Sequence, residues 1–250
     1  MSAWRWAAAS TIGTSHLRTG APRQDAYGVR RTGNGRICAV VSDGAGSATY
    51  GGPGAWIVCR EFLAQAQSWS TNSPGLPEDQ IISDWIDAIR DRISRAAERR
   101  ASAPRQFAAT LAAVFATDSE ALVIQVGDSV VAGRADGSWT VPLWPESGEY
   151  ASTTYFVTDS PSPRLNLARE AVSFDGFALF SDGIETIALD HSEQQAHRPF
   201  LDPMIKAIDN APGSGRLAPL SGHLASYLDS DRVNDRTDDD KTLILLSRRP

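Results

Sequence analysis

The chain has 250 residues, enough to bury a large core in one α/β domain or in two small ones. Hydrophobic residues make up 42% and charged residues 22%, which excludes a disordered or fibrous chain. No apolar stretch approaches the roughly 20 residues of a membrane span. The net charge of −6 disfavours nucleic acid as the main partner, because phosphate backbones select basic surfaces. We therefore expect a single cytoplasmic domain over residues 1–250, with no membrane or nucleic-acid partner.

Runs of β-branched and other apolar residues predict eight strands. They are Ile37–Ser42, Ala108–Ala116, Ala121–Val126, Val130–Arg134, Ser138–Val141, Thr154–Val157, Ala171–Ser181 and Thr242–Ser247. Two amphipathic helices are predicted after the first strand, one from near Pro53 and one over Glu78–Ala101, with Trp56 and Trp85 as core anchors. Shorter helices are predicted at Asp202–Ile208 and Arg216–Leu228.

The order of these elements predicts an α+β fold. Strands come first, a helical pair follows, and then a run of strands joined by short turns such as Asp136-Gly137. Strict alternation of strands and helices is missing, which favours antiparallel sheets with helices packed outside them. A long irregular connection is predicted over Trp144–Arg169. Cys38 lies in a strand and Cys59 in a helix, so both are predicted to be buried free thiols in a reducing compartment.

Four segments place a carboxylate beside an apolar strand. ICAVVSDG, LVIQVGDS and FALFSDGI carry Asp43, Asp128 and Asp182 at the strand end, and DDDKTLILL carries Asp239 before its strand. In an antiparallel sheet the end of one strand and the start of its neighbour lie at the same edge. We therefore expect these four carboxylates to converge, with Asp25 in GAPRQDAYGV as a fifth candidate.

Clustered carboxylates repel one another unless a cation neutralises them. Oxygen ligands without His or Cys suit Mg²⁺ or Mn²⁺, and two such ions about 3.5–4 Å apart can activate a water for hydrolysis of a phosphoester. The alternative is that each Asp-Gly pair only forms a turn, which is the interpretation we adopt for Asp136-Gly137. The recurrence of strand-end carboxylates favours the metal site.

These segments resemble the metal-dependent protein phosphatases of the PP2C (PPM) family, most closely its bacterial branch. SHLRTGAPRQDA, VVSDGAGSA, FAATLAAVF, VGDSVV, FALFSDGIET and DDDKTLILL follow the family's order from roughly Ser10 to Ser247. The resemblance implies an antiparallel β-sandwich flanked by helices on both faces, in α-β-β-α layers. It also implies two Mg²⁺ or Mn²⁺ ions, a phosphoserine or phosphothreonine protein as substrate, and a cognate Ser/Thr kinase.

The resemblance also implies the ligands of these ions. Asp43 would bridge both metals, and Asp128 matches a residue at a more weakly held third ion. The full set implied is Asp25, Asp43, the carbonyl of Gly44, Asp128, Asp182 and Asp239. Of these, Asp43, Asp182 and Asp239 are the predicted catalytic carboxylates.

Two departures from the family pattern concern the substrate phosphate and the general acid. The family's phosphate-binding Arg is replaced by Gly20, so Arg23 and Arg18 become candidates for that role. Ala45 stands where some members have a general-acid His. His16 could substitute, since imidazole titrates near neutral pH, or it could be a structural hydrogen-bonding group.

The sequence thus predicts a phosphatase in which a metal-bridged water attacks the phosphorus. The missing phosphate-binding Arg keeps a second hypothesis open, a phosphatase-like module that binds a phosphoprotein with weak turnover or none. A third hypothesis, hydrolysis of a small phosphoester, shares the same site and differs in substrate.

Overall fold

The computed structural model describes residues 4–33, 35–73, 75–145 and 154–248. The strands in these ranges are β1 Trp4–Thr11, β2 Ala26–Arg31, β3 Ile37–Ser42, β4 Leu111–Ala116, β5 Ala121–Val126, β6 Val130–Ala135, β7 Ser138–Thr140, β8 Asn166–Glu170, β9 Gly176–Phe180, β10 Leu189–Asp190, β11 Gln195–Ala196, β12 Gly215–Arg216 and β13 Lys241–Arg248. The helices are α1 Thr14–Thr19, α2 Gly51–Asn72, α3 Asp79–Glu98, α4 Glu185–Ala188, α5 Arg198–Asn210, α6 Ala218–Leu228 and α7 Asp231–Asn234, with 3₁₀ turns at Pro104–Phe107 and Asp182–Ile184.

Two sheets form the centre of the fold. One has the strand order β12-β1-β13-β9-β6-β7 and the other has the order β2-β3-β4-β5-β8. Neighbouring strands pair antiparallel, except that β12 runs parallel to β1. The strands β10 and β11 form a separate two-stranded ribbon.

Side chains that alternate along each strand connect the sheets to each other and to the helices. In β3, Cys38 and Val40 pack with α2 and α3, while Ile37, Ala39 and Val41 face the core between the sheets. Because both faces of β3 are buried, its sequence is continuously apolar instead of alternating with polar residues. Helices α5 and α6 cover the outer face of the six-stranded sheet. The predicted α-β-β-α sandwich is confirmed.

Several predicted element boundaries change in the structure. The strand predicted at Thr154–Val157 is wrong, because the Phe156 N–H donates to the Asp159 carboxylate at 2.9 Å and the chain turns there. Of the strand predicted at Ala171–Ser181, only Gly176–Phe180 forms a strand, β9. The connection predicted over Trp144–Arg169 contains strand β8, and its residues 146–153 lie outside the described ranges.

Strand β1 was not predicted. Its central residues Ala7, Ala8 and Ala9 are buried, although alanine has low strand propensity. Small side chains let α6 approach closely, and the Ala8 N–H donates to Ser221 Oγ on that helix at 3.2 Å. Tertiary packing therefore determines this strand.

Trp56 is the one predicted core anchor that the structure contradicts. It lies on the outer side of α2 and is 54% exposed, whereas Trp85 on α3 is buried as predicted. Both Cys38 and Cys59 are free and buried, as expected, and burial raises the pKa of each thiol. Among the described residues, no helix combines the length and the apolar composition that crossing a membrane would require.

Candidate active site

Carboxylates from both sheets meet at one end of the sandwich. Asp43 follows β3, Asp128 lies in the turn that leads from β5 to β6, Asp182 follows β9, and Asp239 precedes β13. They surround a single cavity of about 350 Å³. The residues that line it are Asp43, Ala45, Gly46, Ser47, Asp128, Thr154, Phe156, Asp182 and Asp239. The expected convergence is present, but it joins two sheets and not the edge of one.

The backbone around Asp43 is held by β4 and the residues before it. The Asp43 N–H donates to Thr110 Oγ1 at 2.9 Å, and the Thr110 N–H donates to the Asp43 carbonyl at 2.8 Å. Ser42 Oγ donates to the Thr110 carbonyl at 2.6 Å. This reciprocal pairing fixes the direction in which the Asp43 carboxylate leaves the strand.

Asp25 lies behind the cavity, next to the residue that pairs with Ser42 across β2 and β3. One of its oxygens accepts hydrogen bonds from Ser181 Oγ at 2.7 Å and from Thr242 Oγ1 at 2.6 Å. The other oxygen, Oδ1, is buried and has no hydrogen-bonding partner among the described residues. Burial raises the pKa of Asp25 to about 6.

The cavity carboxylates destabilise one another's charged forms. Burial raises the pKa of Asp43, and the charges of Asp25 and Asp182 raise it further. Burial also raises the pKa of Asp182, with Asp128 and Asp239 as the next contributors. Such a cluster is most stable when cations balance its charge at neutral pH.

The donor set suits hard divalent ions. All of the carboxylates offer oxygen, and a buried oxygen without a partner is present on both Asp25 and Asp128. Within the described ranges, no group of three or more His, Cys, Asp or Glu side chains is close enough together to hold a metal ion without other ligands. The cavity is open enough to admit water beside its carboxylates, which fits Mg²⁺ or Mn²⁺ because such ions keep several water ligands.

A second acidic group extends from Asp128. Its Oδ2 accepts a hydrogen bond from Thr154 Oγ1 at 2.5 Å, and burial raises its pKa. Glu185 lies nearby on α4, where burial and then the charge of Asp128 raise its pKa to about 7. Its Oε1 is 3.2 Å from His191 Nε2.

Asp240 has a structural role, which the sequence alone left open. The Asp240 carboxylate accepts the N–H of Gly13 at 2.7 Å and the N–H of Gln24 at 2.5 Å. It also lies 3.1 Å from His16 Nδ1, and it is buried while Asp239 is exposed. Asp240 thus fixes the loops on either side of α1, and the alternation of side chains before β13 turns Asp239 toward the cavity.

Two glycines allow the backbone to pass close to these carboxylates. A Cβ at Gly44 would lie 2.2 Å from the Gly51 carbonyl carbon, and one at Gly183 would lie 1.9 Å from the Asp240 carbonyl oxygen. Any larger residue would force the strand-end turns away from the site. The Asp-Gly pairs at 43-44 and 182-183 are therefore turns that also serve the cavity.

Comparison with known proteins agrees with this geometry. Residues 12–228 match the profile of the Protein phosphatase 2C family. The chain belongs to that family. The sequence-based recognition, and the enzyme class it implied, a protein serine/threonine phosphatase, are confirmed at that level.

A curated relative, Serine/threonine-protein phosphatase 3 of Escherichia coli (strain K12), is 34% identical over 248 residues, covering 97% of each chain. Solved structures are similar in fold at lower identity. PppA, a regulatory component of T6SS in Pseudomonas aeruginosa, gives a TM-score of 0.67 at 18% identity over 100% of both chains. The catalytic domain of the serine/threonine protein phosphatase PstP, in complex with two manganese ions, gives 0.65 at 16% identity, again over 100% of both chains.

The residues predicted to replace missing family side chains lie outside the cavity wall. Arg18 is exposed and pairs with Asp238 at 2.7 Å. Arg23 is exposed, with no ion pair to any described residue, and His16 faces Asp240. No Arg, Lys or His is among the described residues that line the cavity of this protein phosphatase 2C chain. The phosphate-binding roles of Arg23 and Arg18 and the general-acid role of His16 stay predictions.

Proposed function

We propose that this chain hydrolyses phosphoserine and phosphothreonine in proteins, using two Mg²⁺ or Mn²⁺ ions held at the cavity. One observation carries the proposal: four carboxylates from both sheets, three of them half-buried and Asp239 exposed, surround a single opening at the end of the sandwich. Asp43, Asp182, Asp239 and the Gly44 carbonyl would hold the two ions, with Asp25 behind the second and Asp128 at a third. Bound divalent ions supply a water of lowered pKa and positive charge for the transferring phosphoryl oxygens.

Charge at the cavity wall supports a role for cations in substrate binding. The described part of the wall has acidic, small and apolar side chains and no basic one. A phosphate dianion would be repelled by those carboxylates unless their charge were balanced. Thr110 holds the Asp43 backbone and is itself held by the Ser42 hydroxyl, and Thr154 holds one oxygen of Asp128, so these residues orient the acidic groups before substrate arrives.

The test is hydrolysis of a phosphothreonine peptide by metal-stripped protein, titrated first with Mn²⁺ and then with Mg²⁺. Asp43→Asn and Asp182→Asn should each lose activity while retaining the fold. Asp136→Asn is the matched control, because Asp136 lies in a hairpin turn with positive φ, which Asn also tolerates. Full activity of both site variants with Mn²⁺ would refute the site. Rates on a nucleotide would distinguish a small-phosphoester hydrolase.

A second candidate function is a phosphoprotein-binding module with weak turnover or none. It is favoured by Gly20 at the family's phosphate-binding position and by the absence of a cation from the described cavity wall. Calorimetry that detects metal binding, combined with no peptide turnover at any metal concentration, would support the module over the enzyme.

We further propose that a cognate Ser/Thr kinase phosphorylates the substrate protein, and that this chain acts in the cytoplasm. Buried, unpaired Cys38 and Cys59 support a reducing compartment.

A further inference from the structure

An exposed tryptophan lies on the side of α2 that runs beside β2. Trp56 is 54% exposed, and the Arg60 guanidinium stacks over its ring at 4.9 Å from the centroid. The other large apolar side chains exposed in the described ranges are Leu17 and Val172. An aromatic ring under an arginine, open to solvent, is typical of residues that contact partners.

The same side of the molecule carries uncompensated positive charge. Arg23, Arg30 and Arg60 are exposed, and none pairs with a carboxylate of any described residue. The nearby sequence offers few acids: residues 17–36 contain only the buried Asp25, and α2 contains only Glu61, which pairs with Arg92 of α3 at 3.6 Å. This basic strip is unusual for a protein whose net charge is −6.

Close contacts place these residues along one line. A Cβ at Gly52 would lie 3.0 Å from the Arg23 carbonyl oxygen, so the start of α2 touches the loop before β2. Trp56 lies one turn further along the same helix face. Leu63 then packs over Gly28, and alternation along β2 puts Arg30 on the face of the strand that α2 covers. We call Arg30, Trp56 and Arg60 the α2 flank, with Arg23 at its end nearest the cavity.

The α2 flank begins close to the candidate active site. Gly44, at the cavity edge, is in direct contact with Gly51, the first residue of α2. Trp56 is five residues later, which is about 7.5 Å along the helix axis. An extended peptide rises about 3.3 Å per residue. A substrate whose phosphorylated residue enters the cavity could therefore reach Trp56 and Arg60 with residues about two to four positions away, and Arg30 with residues further along the peptide.

We propose that the α2 flank binds an acidic segment of the phosphoprotein substrate, adjacent to the phosphorylated residue. The unpaired arginines attract its carboxylates, and the Trp56 ring packs against its backbone or side chains. The inference rests on the proposed phosphatase function, and it adds a preference for acidic residues beside the phosphorylation site.

The test compares two phosphothreonine peptides that differ only at positions two to four on each side of the phosphothreonine, with Asp and Glu in one and Ser and Gln in the other. Arg60→Glu should lower kcat/KM for the acidic peptide about fivefold or more, mainly through KM. The neutral peptide and p-nitrophenyl phosphate should change less than about twofold. Trp56→Ala should weaken both peptides without affecting p-nitrophenyl phosphate. Salt near 0.5 M should remove the preference.

Lys206→Glu is the matched control for charge reversal. Lys206 is exposed on α5, on the other face of the sandwich, and has no ion pair with a described residue. It should leave the ratio of the two peptides unchanged. A peptide with Lys at the varied positions should be a better substrate for Arg60→Glu than for the wild type.

Binding separates this proposal from the proposed function. Fluorescence anisotropy of the labelled acidic peptide with Thr in place of phosphothreonine, on metal-free protein, requires neither turnover nor a phosphate in the cavity, and Arg60→Glu should weaken that binding about fivefold or more. If Arg60→Glu and Trp56→Ala both leave the affinity and the ratio of kcat/KM for the two peptides unchanged, the proposed role of the α2 flank is wrong, even if p-nitrophenyl phosphate is hydrolysed. Equal competition by single-stranded DNA would also overturn it, because the flank would then be a general polyanion surface. Failure of the wild type on every phosphoester would instead overturn the phosphatase.

Discussion

Replacing Asp240 should destabilise the folded protein far more than replacing its neighbour Asp239. Asp240→Ala removes the acceptor of two backbone N–H groups, those of Gly13 and Gln24, and the partner of His16. A buried donor left without an acceptor costs about 1–3 kcal/mol, and the acceptor here is charged. We therefore expect Asp240→Ala to lower the free energy of unfolding by about 3–5 kcal/mol.

Urea unfolding and thermal melting of metal-free protein would measure this difference. For a chain of this size the Asp240→Ala loss corresponds to a fall in Tm of about 6–20 °C. Asp239→Asn keeps an oxygen to accept the Asp240 N–H, which now donates to Asp239 Oδ1 at 2.7 Å, so its stability should change by less than about 1 kcal/mol while activity is lost. An Asp240→Ala variant that melts within about 2 °C of the wild type would refute the structural role of Asp240.

Three further predictions follow from other parts of the fold. Burial raises the pKa of Asp25 to about 6. Between about pH 4 and pH 6 the folded metal-free protein therefore holds a proton that the unfolded chain has released. The free energy of unfolding should fall as the pH rises through that window, by at most about 3 kcal/mol. Melting in EDTA at pH 4 and pH 7.5 checks this, and added Mn²⁺ should restore stability at pH 7.5. Gly183→Ala should prevent normal folding, because its Cβ would lie 1.9 Å from the Asp240 carbonyl oxygen, whereas exposed Gly222→Ala in α6 should stabilise by about 0.5–1 kcal/mol in the same urea assay. Arg134→Ala breaks ion pairs at 2.5 and 2.8 Å at the opposite end of the sandwich, so Tm should fall while kcat/KM on a phosphopeptide is unchanged.

The strand-end carboxylates could be predicted from sequence because each one lies next to a short, strongly apolar run. Asp43 and Asp182 follow runs buried on both faces, and such runs have a readable length and end. The ordered set of motifs then predicted the family and the sandwich, and both are confirmed. The assignment of individual metal ligands stays a prediction for the experiments above.

Other features depended on partners that are distant in sequence. Trp56 has helical spacing that suits a core position, but the periodicity of one helix does not show where the neighbouring elements end. Because α2 lies beside the edge strand β2, Trp56 stays exposed. Strand β1 is built from alanines that acquire strand geometry through pairing with β13 and contact with α6.

The amino-acid sequence by itself determined the strand cores, the helix pair, the acidic strand ends and the family, since these are properties of local pattern and order. Only the tertiary structure decided that Asp239 faces the cavity while Asp240 holds the backbone, that two sheets and not one supply the carboxylates, and that Trp56 with its arginines stays in solvent. The physical reason is that burial, hydrogen-bond partners and charge balance are set by residues far apart in the chain, such as Gly13 and Asp240 at 227 positions, which no local pattern specifies.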